Sequence, residues 1–331
     1  MSRTFQALVV RMSDGETYTR AIEERSIDDL PKGEVLIRVH YSSLNYKDGL
    51  SCIGNRGVTR HYPHTPGIDA AGIVETSDSS DFKSGDPVVI TSYDLGMNTA
   101  GGFGQFIRVP SHWVMPLPEG LSLRESMIYG TAGYTAGLSV KILQRQGVNP
   151  GGAPIVVTGA TGGVGSLSVA LLASLGYSVS ASTGKPDSKD FLRKLGASEI
   201  IGRDAVNDKY GKPLLKETWA GAIDTIGGET LATLLKSCKE SGVVVATGMV
   251  ASTDLPTTVF PFILRGVSLL GINSQGTSMS IRQEMWSKLA DEWKPEGLES
   301  LAFDCRLEKL NPEIDRILAG SQIGRVVVDL Q

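Results

Sequence analysis

A glycine-rich turn near the middle of the chain has the residue types needed to hold a phosphate group. The run "PIVVTGATGGVGSLSVALLASLGYSVSASTGK", residues 154–185, is typical of a buried strand, a turn, an apolar helix and a second strand. Gly163, Gly165 and Ser168 occupy the GxGxxG positions, with a small serine in place of the third glycine. Glycines let the backbone approach a pyrophosphate, and the N–H groups at the helix start attract its charge. A plain glycine-rich loop is the alternative, but here a strand and a helix flank the turn. The predicted contacts are Gly162, Gly163, Val164, Gly165 and Ser166.

The second strand of this unit runs into "STGK", where an NAD enzyme would carry an acidic residue for the ribose 2′-hydroxyl. Thr183 stands at that position, so no carboxylate repels a 2′-phosphate. Ser182, Thr183 and the backbone of Gly184 can donate hydrogen bonds to such a phosphate. Lys185 adds a positive charge, and Arg203 after the next predicted strand could reach the same pocket. A single lysine is more often a solvated surface residue, but its position here predicts NADPH rather than NADH as the cofactor.

The elements that must position these residues follow two different sequence patterns. Residues 1–122 hold short apolar or alternating runs divided by Gly, Pro and Asp, a pattern typical of a β-rich domain. "SLRE" at 122–125 is a capping box, and beyond it strands rich in β-branched residues alternate with helical segments up to residue 275. We therefore predict an α/β protein in which 123–275 form a doubly wound parallel sheet. The tail 276–331 is too short for a third domain, so we expect it to complete the first.

Ligands of open α/β sheets bind outside the carboxyl ends of the strands. This rule selects Gly248 and Met249 after "VVVA", and Ser274 after "SLLGI", as predicted walls around the nicotinamide. Plain connecting loops are an equally good interpretation of both segments.

Composition excludes several functional classes. The 331 residues are 41% hydrophobic and 21% charged, with a net charge of −4 and scattered basic residues, so we expect no nucleic-acid or membrane partner. No run approaches the roughly 18 apolar residues of a membrane helix, and the N-terminus lacks a signal-peptide pattern. Three distant cysteines favour a reducing compartment, and we predict a cytoplasmic protein. The apolar last strand "GVSLLGI" would leave an open sheet edge, which predicts a homodimer.

Several motifs, in order and spacing, resemble the medium-chain dehydrogenase/reductase superfamily: "PGIDAAG", "KSGDPVV", "GTAGYTAGL" and "TGATGGVG". "SSLNYKDGL", "WAGAIDTIGG" and "PTTVFPFILRGVSLLGI" are similar to its YhdH/YhfP branch of quinone oxidoreductases and acrylyl-CoA reductases. The resemblance spans nearly the whole chain. It implies a GroES-like catalytic domain, a Rossmann domain and a C-terminal return to the first domain.

Zinc-bearing members of the superfamily have an early Cys ligand and a later Gly-His-Glu motif. The resemblance places Asn45 at the Cys position, and Ile68 and Asp69 at the His-Glu pair. Isoleucine cannot ligate a metal and asparagine is a poor zinc ligand, so we predict no metal. His61 and His64 lie in a Pro-containing loop that we expect to be solvated.

Without zinc, a phenol or amide must stabilise charge on the substrate oxygen. Tyr46 is the predicted catalytic donor, because a phenol stays protonated at neutral pH and can donate to an enolate or give up its proton. An aromatic packed at a helix start, with its hydroxyl solvated, is an equally good interpretation. Asn45 is predicted to hold the nicotinamide ribose or the substrate carbonyl, and we expect Lys47 and Asp48 to form a structural ion pair. The resemblance implies that Thr131 contacts the nicotinamide, although from the sequence alone it is a small residue in a helix. Tyr46 is also predicted to contact the cofactor.

The substrate class depends on the loop 49–68, which contains Arg56 and Arg60 and no carboxylate before Asp69. Such a loop suits the phosphates of a coenzyme A ester, although surface charge is the simpler interpretation for each arginine. With the branch resemblance, it predicts NADPH-dependent reduction of a short 2-enoyl thioester such as acryloyl-CoA. Quinone reduction is the alternative, and a non-catalytic NADPH-binding protein is the second.

Overall fold

The computed structural model describes residues 3–331. In chain order its strands are β1 (Thr4–Ser13), β2 (Thr17–Ser26), β3 (Val35–Ser43), β4 (Asp69–Ser77), β5 (Pro87–Thr91), β6 (Phe106–Val109), β7 (Met115–Pro116), β8 (Ile155–Val157), β9 (Val179–Ser182), β10 (Glu199–Ile201), β11 (Trp219–Asp224), β12 (Cys238–Ala246), β13 (Ser268–Gly271), β14 (Ala302–Arg306) and β15 (Arg325–Asp329). The helices are α1 (Tyr46–Cys52), α2 (Leu123–Arg145), α3 (Gly163–Ser174), α4 (Lys189–Lys194), α5 (Gly228–Ser237), α6 (Phe260–Arg265), α7 (Met279–Ala290) and α8 (Leu310–Leu318).

The contacts divide the chain into two compact units. The first unit consists of the chain up to Thr131 with residues 275–291 and 297–331, and the second of 132–274 with 292–296. The predicted domains, 1–122 with 276–331 and 123–275, stay a prediction, and they differ from these units chiefly at 123–131 and 292–296.

The first unit is built on a mostly antiparallel sheet in the order β14-β15-β3-β4-β5-β7, with β6 also paired to β3. β15, near the end of the chain, pairs antiparallel with β3 and sets Val327 opposite Ser43. The apolar faces of these strands form one core, in which Ile37, Val88 and Val326 are fully buried. This pairing matters for the site because it brings Arg325 beside residues that lie far away in sequence.

The second unit contains a six-stranded parallel sheet in the order β10-β9-β8-β11-β12-β13. Counted from β8, this is the order 3-2-1-4-5-6 of the Rossmann fold, and the predicted fold class is confirmed. The central strand β8 consists of Ile155, Val156 and Val157 and is fully buried, as a parallel strand covered by helices must be. The strand order reverses between β8 and β11, so their carboxyl ends form the switch point at which such sheets bind ligands.

Helix α2 begins at the predicted capping box. The Ser122 N–H donates to Glu125 Oε2 at 2.8 Å, and the Glu125 N–H donates to Ser122 Oγ at 3.1 Å. At Gly130 the backbone leaves the helical region, with φ 50° and ψ −155°. Thr131 therefore starts a new run of helical turns.

Within residues 3–331, no helix has both the length and the apolar character required to cross a bilayer. Cys52, Cys238 and Cys305 are buried and form no disulfide with one another.

Candidate active site

The phosphate turn has the backbone geometry expected of an anion site. Gly162 is extended and precedes α3, whose first N–H groups have no partner within the helix. A Cβ atom at Gly165 would lie 2.2 Å from the Gly159 carbonyl oxygen, so only glycine fits this close approach. Ser166 is one of the predicted contacts of the phosphate. Its Oγ is buried and donates to the Gly163 carbonyl at 3.3 Å, so in this structure the hydroxyl lies against the helix backbone.

The structure brings Arg203 against the "STGK" segment, and the binding of a 2′-phosphate by these residues stays a prediction. A Cβ atom at Gly184 would lie 2.3 Å from Arg203 Nε, so the guanidinium lies directly on the Gly184 backbone. Burial and the charge of Arg203 lower the pKa of the Lys185 ammonium group. Thr183 Oγ1 accepts the Lys185 N–H at 3.1 Å and so shapes the turn. Two cations thus share this corner with Ser182, and Arg203 forms no ion pair with any residue of 3–331.

The predicted nicotinamide walls follow β12 and β13, at the same sheet edge as the phosphate turn. Gly248 packs so closely that a Cβ atom there would lie 2.4 Å from the Thr225 carbonyl oxygen. The Met249 side chain is 68% exposed. Ser274 follows the last strand of the same sheet. Their contacts with a cofactor stay a prediction.

In the first unit, Asn45 and Tyr46 open helix α1. The Asn45 amide donates to Asp69 Oδ2 at 2.7 Å, and its Oδ1 accepts from Arg325 Nη1 at 3.2 Å. Asn45 is buried, whereas Tyr46 is 38% exposed. The Asn45 side chain is therefore fixed by its neighbours, and Tyr46 presents a phenol at the surface of this unit.

Asp69 gathers the polar groups around it. Its carboxylate accepts from Ser43 Oγ at 2.6 Å, from Thr131 Oγ1 at 2.6 Å and from the Thr131 N–H at 3.0 Å. The Thr131 N–H would lack a helical partner because of the break at Gly130, so Asp69 caps this helix start from another strand. Thr131, predicted to contact the nicotinamide, thus already gives its hydroxyl to Asp69.

Arg325 completes the network from β15. It is 1% exposed, and its guanidinium donates to the Ile128 and Leu44 carbonyls, both at 3.0 Å, and to Ser43 Oγ at 2.9 Å. Sequence reasoning missed Arg325. The available signal was a charged residue at the start of the apolar run "RVVVD".

The expected ion pair between Lys47 and Asp48 does not form among the described residues, and that prediction is wrong. Asp48 accepts the Asn45 N–H at 2.8 Å and the Ile68 N–H at 2.9 Å, while Lys47 Nζ donates to Gln275 Oε1 at 3.2 Å. Adjacent helical residues point in different directions, which separates the two charges. Burial and the nearby Asp69 carboxylate raise the pKa of Asp48 to about 7.

The loop between α1 and β4 exposes Arg56, Arg60 and His61. His64 was expected to be solvated, and that prediction is wrong: it is buried, with Nε2 2.9 Å from the Gly96 carbonyl oxygen. Its backbone also exchanges hydrogen bonds with Val10, which anchors this end of the loop to β1. In the part of the chain that the structure describes, no three His, Cys, Asp or Glu side chains are grouped to hold a metal ion.

Comparison with known proteins gives the family. The "Alcohol dehydrogenase GroES-like domain" family matches residues 31–119 and the "Zinc-binding dehydrogenase" family matches 163–292. Acrylyl-CoA reductase AcuI of Ruegeria pomeroyi is 45% identical over 328 residues, which cover 98% of this chain and 99% of that protein. The chain belongs to the YhdH/YhfP branch of the medium-chain dehydrogenases/reductases.

Solved structures of this branch share the fold. The YhdH oxidoreductase of Salmonella enterica, solved with NADP, is 41% identical with a TM-score of 0.95 over 98% of this chain and 100% of that one. YhfP of Bacillus subtilis, solved with NAD, is 44% identical with a TM-score of 0.96 over 99% and 100% of the two chains. Relatives in the YhdH/YhfP branch have thus been seen with both forms of the cofactor.

The zinc-ligand positions implied by the resemblance have a defined structure in this branch member. Asn45 and Asp69 are hydrogen-bonded to each other, and Ile68 is buried. A hydrogen-bonded carboxylate and amide, with the Arg325 guanidinium beside them, occupy these positions.

Proposed function

We propose that this protein reduces the carbon–carbon double bond of a short 2-enoyl thioester, such as acryloyl-CoA, with NADPH. The observation that carries the proposal is the pair Lys185 and Arg203 beside Gly184, at the point where an NAD enzyme would place a carboxylate. The full-length similarity to a protein named acrylyl-CoA reductase supports the substrate class.

NADPH, when bound, supplies the hydride, which adds to the β-carbon of the thioester. The negative charge that develops on the thioester oxygen requires a hydrogen-bond donor. The α-carbon then takes a proton, which completes the reduction. Tyr46 is the proposed donor because its phenol is exposed at the start of α1. Asn45 contributes by fixing that start, since Asp69 and Arg325 occupy its amide group.

The test uses stereospecifically deuterated NADPH with acryloyl-CoA. Deuterium at the β-carbon of propionyl-CoA supports the proposal. Turnover of 9,10-phenanthrenequinone alone would favour a quinone reductase, and tight NADPH binding without turnover of either would favour a binding protein.

The exposed arginines Arg56 and Arg60 are proposed to attract the phosphates of coenzyme A. Replacing both with alanine is expected to raise KM for acryloyl-CoA about tenfold, because each exposed charged contact contributes modestly. Steady-state kinetics with quinone as second substrate provide the control, since a quinone carries no phosphate. Equal effects on the two substrates would contradict this role.

We also propose a homodimer in the cytoplasm. β13 is an edge strand of the parallel sheet. Helix α6, which precedes it, exposes Ile263 and Leu264 at 73% and 60%, and Val259 just before the helix is 62% exposed. An apolar surface beside an open edge fits an isologous contact with a second copy.

The double variant Ile263→Glu with Leu264→Glu is expected to sediment as a monomer, because four buried carboxylates would then face one another across the two-fold axis. Ile53→Glu, at a 51% exposed site of the first unit, is the control and should leave the mass unchanged. A wild-type monomer at micromolar concentration would contradict the proposal.

A further inference from the structure

A buried hydrogen bond joins the two strand ends at the switch point of the parallel sheet. Thr158 follows β8 and Asp224 ends β11, and both side chains are at most 1% exposed. Thr158 Oγ1 donates to Asp224 Oδ1 at 2.6 Å. Neither residue was singled out by the sequence, although "AGAID" ends an apolar strand in an acid.

Asp224 also holds the chain that follows it. Oδ2 accepts the Gly227 N–H at 2.7 Å and Oδ1 accepts the Ile226 N–H at 3.3 Å. The Thr225 N–H donates to Thr158 Oγ1 at 3.0 Å, so the same pair of side chains sets three successive residues. Segment 225–227 is therefore defined by side-chain contacts at the switch point.

Segment 225–227 in turn fixes the loop 247–252. The Ala251 N–H donates to the Ile226 carbonyl at 2.9 Å, and the Thr247 N–H donates to the Asp224 carbonyl at 2.8 Å. A Cβ atom at Gly227 would lie 2.5 Å from the Ser252 carbonyl oxygen, and one at Gly248 would lie 2.4 Å from the Thr225 carbonyl oxygen. Contacts this close pass a displacement of one segment directly to the other.

The chemistry of this position requires a carboxylate. No Lys, Arg or His within residues 3–331 forms an ion pair with Asp224, so its charge is balanced by N–H and O–H donors alone. Burial raises the pKa of this carboxyl. Since the partners of both oxygens are donors, the NH2 of an asparagine would face a donor on one side.

We propose that Asp224 is a positioning residue for the nicotinamide half of the cofactor, acting through segment 225–227 on the loop that carries Gly248 and Met249. The inference rests on the proposed NADPH dependence. The 2′-phosphate corner at Lys185 and Arg203 lies after β9 and shares none of these contacts, so Asp224 leaves it unaffected.

The test compares two ligands of the same site by isothermal titration. Asp224→Asn is expected to raise Kd for NADPH about tenfold, as the loss of a hydrogen bond to a charged group implies, while Kd for adenosine 2′,5′-bisphosphate changes less than about twofold. The bisphosphate has the 2′-phosphate and no nicotinamide. The variant should also lower kcat by more than it alters KM for the thioester.

Asp208→Asn is the matched control. Asp208 likewise holds a loop of this unit, because it accepts the Tyr210 and Lys212 N–H groups. Its replacement by asparagine is expected to lower the unfolding midpoint without changing the ratio of the two Kd values. If Asp224→Asn does not fold, Thr158→Val is expected to weaken NADPH binding and spare the bisphosphate in the same way. Thr158→Ser, which keeps the hydroxyl, is expected to bind both ligands as the wild type does. Equal weakening of both ligands would overturn the inference, whereas a wild-type protein that binds neither ligand would overturn the proposed function instead.

Discussion

Replacing both Lys185 and Arg203 with alanine is expected to weaken NADPH binding by about 100- to 1000-fold and to leave NADH binding within about threefold. Each cation contributes a charge-assisted contact to the 2′-phosphate, and only NADPH carries that group. Burial, and after it the charge of Arg203, lower the pKa of the Lys185 ammonium group, so a bound phosphate would stabilise its charged form. Titration calorimetry with both cofactors measures the discrimination.

Lys189→Ala with Arg193→Ala is the matched control, because it removes two cations from the nearby helix α4. It should leave both affinities unchanged apart from a small effect of net charge. The NADH arm is decisive, since the YhfP relative of Bacillus subtilis was solved with NAD. If wild-type protein binds NADH as tightly as NADPH, the role given to Lys185 and Arg203 is wrong.

The parallel sheet and its phosphate turn could be predicted because their signals are local. Strands of β-branched residues alternate with helices over short stretches, and that rhythm specifies a doubly wound sheet. The close approach at Gly165 and the contact of Arg203 with Gly184 both lie in segments that follow strands of this sheet. The presence of Thr183 in place of an acidic residue can likewise be seen in the sequence, because that position lies at a fixed distance from the glycines.

The buried network of the first unit could not be predicted, because its members are distant in sequence. Asp69 and Thr131 are 62 residues apart, and Arg325 reaches Ser43 across 282. The pairing of β15 with β3 brings Arg325 to Ser43, and the pairing of β3 with β4 brings Ser43 to the strand that Asp69 opens. Lys47 and Asp48 show the converse error: neighbours in sequence need not be partners, since each found its own partner elsewhere in the unit.

Gly130→Ala is expected to destabilise the first unit by about 3–5 kcal/mol, the sum of strain at a glycine-only backbone conformation and overpacking. With φ 50° and ψ −155°, this residue lies where side chains are excluded. An added Cβ atom would also clash with its neighbours, since it would lie 2.4 Å from Asp69 Oδ2, 2.5 Å from Ser43 Oγ and 3.1 Å from Arg325 Nη2. The network that holds Thr131 and Asn45 would have to open. Urea unfolding followed by circular dichroism measures the loss.

Gly320→Ala is the control at a glycine of positive φ that has no crowding. Its φ is 66°, close to that of Gly130, but nothing lies within 4 Å of the added Cβ atom. It should cost about 1–2 kcal/mol, the backbone strain alone. Because Gly320 is also part of the first unit, both variants report on the same unfolding transition. Equal losses for the two variants would mean that the Asp69 network yields to a methyl group, and that Asn45 and Thr131 are not held as rigidly as their hydrogen bonds imply.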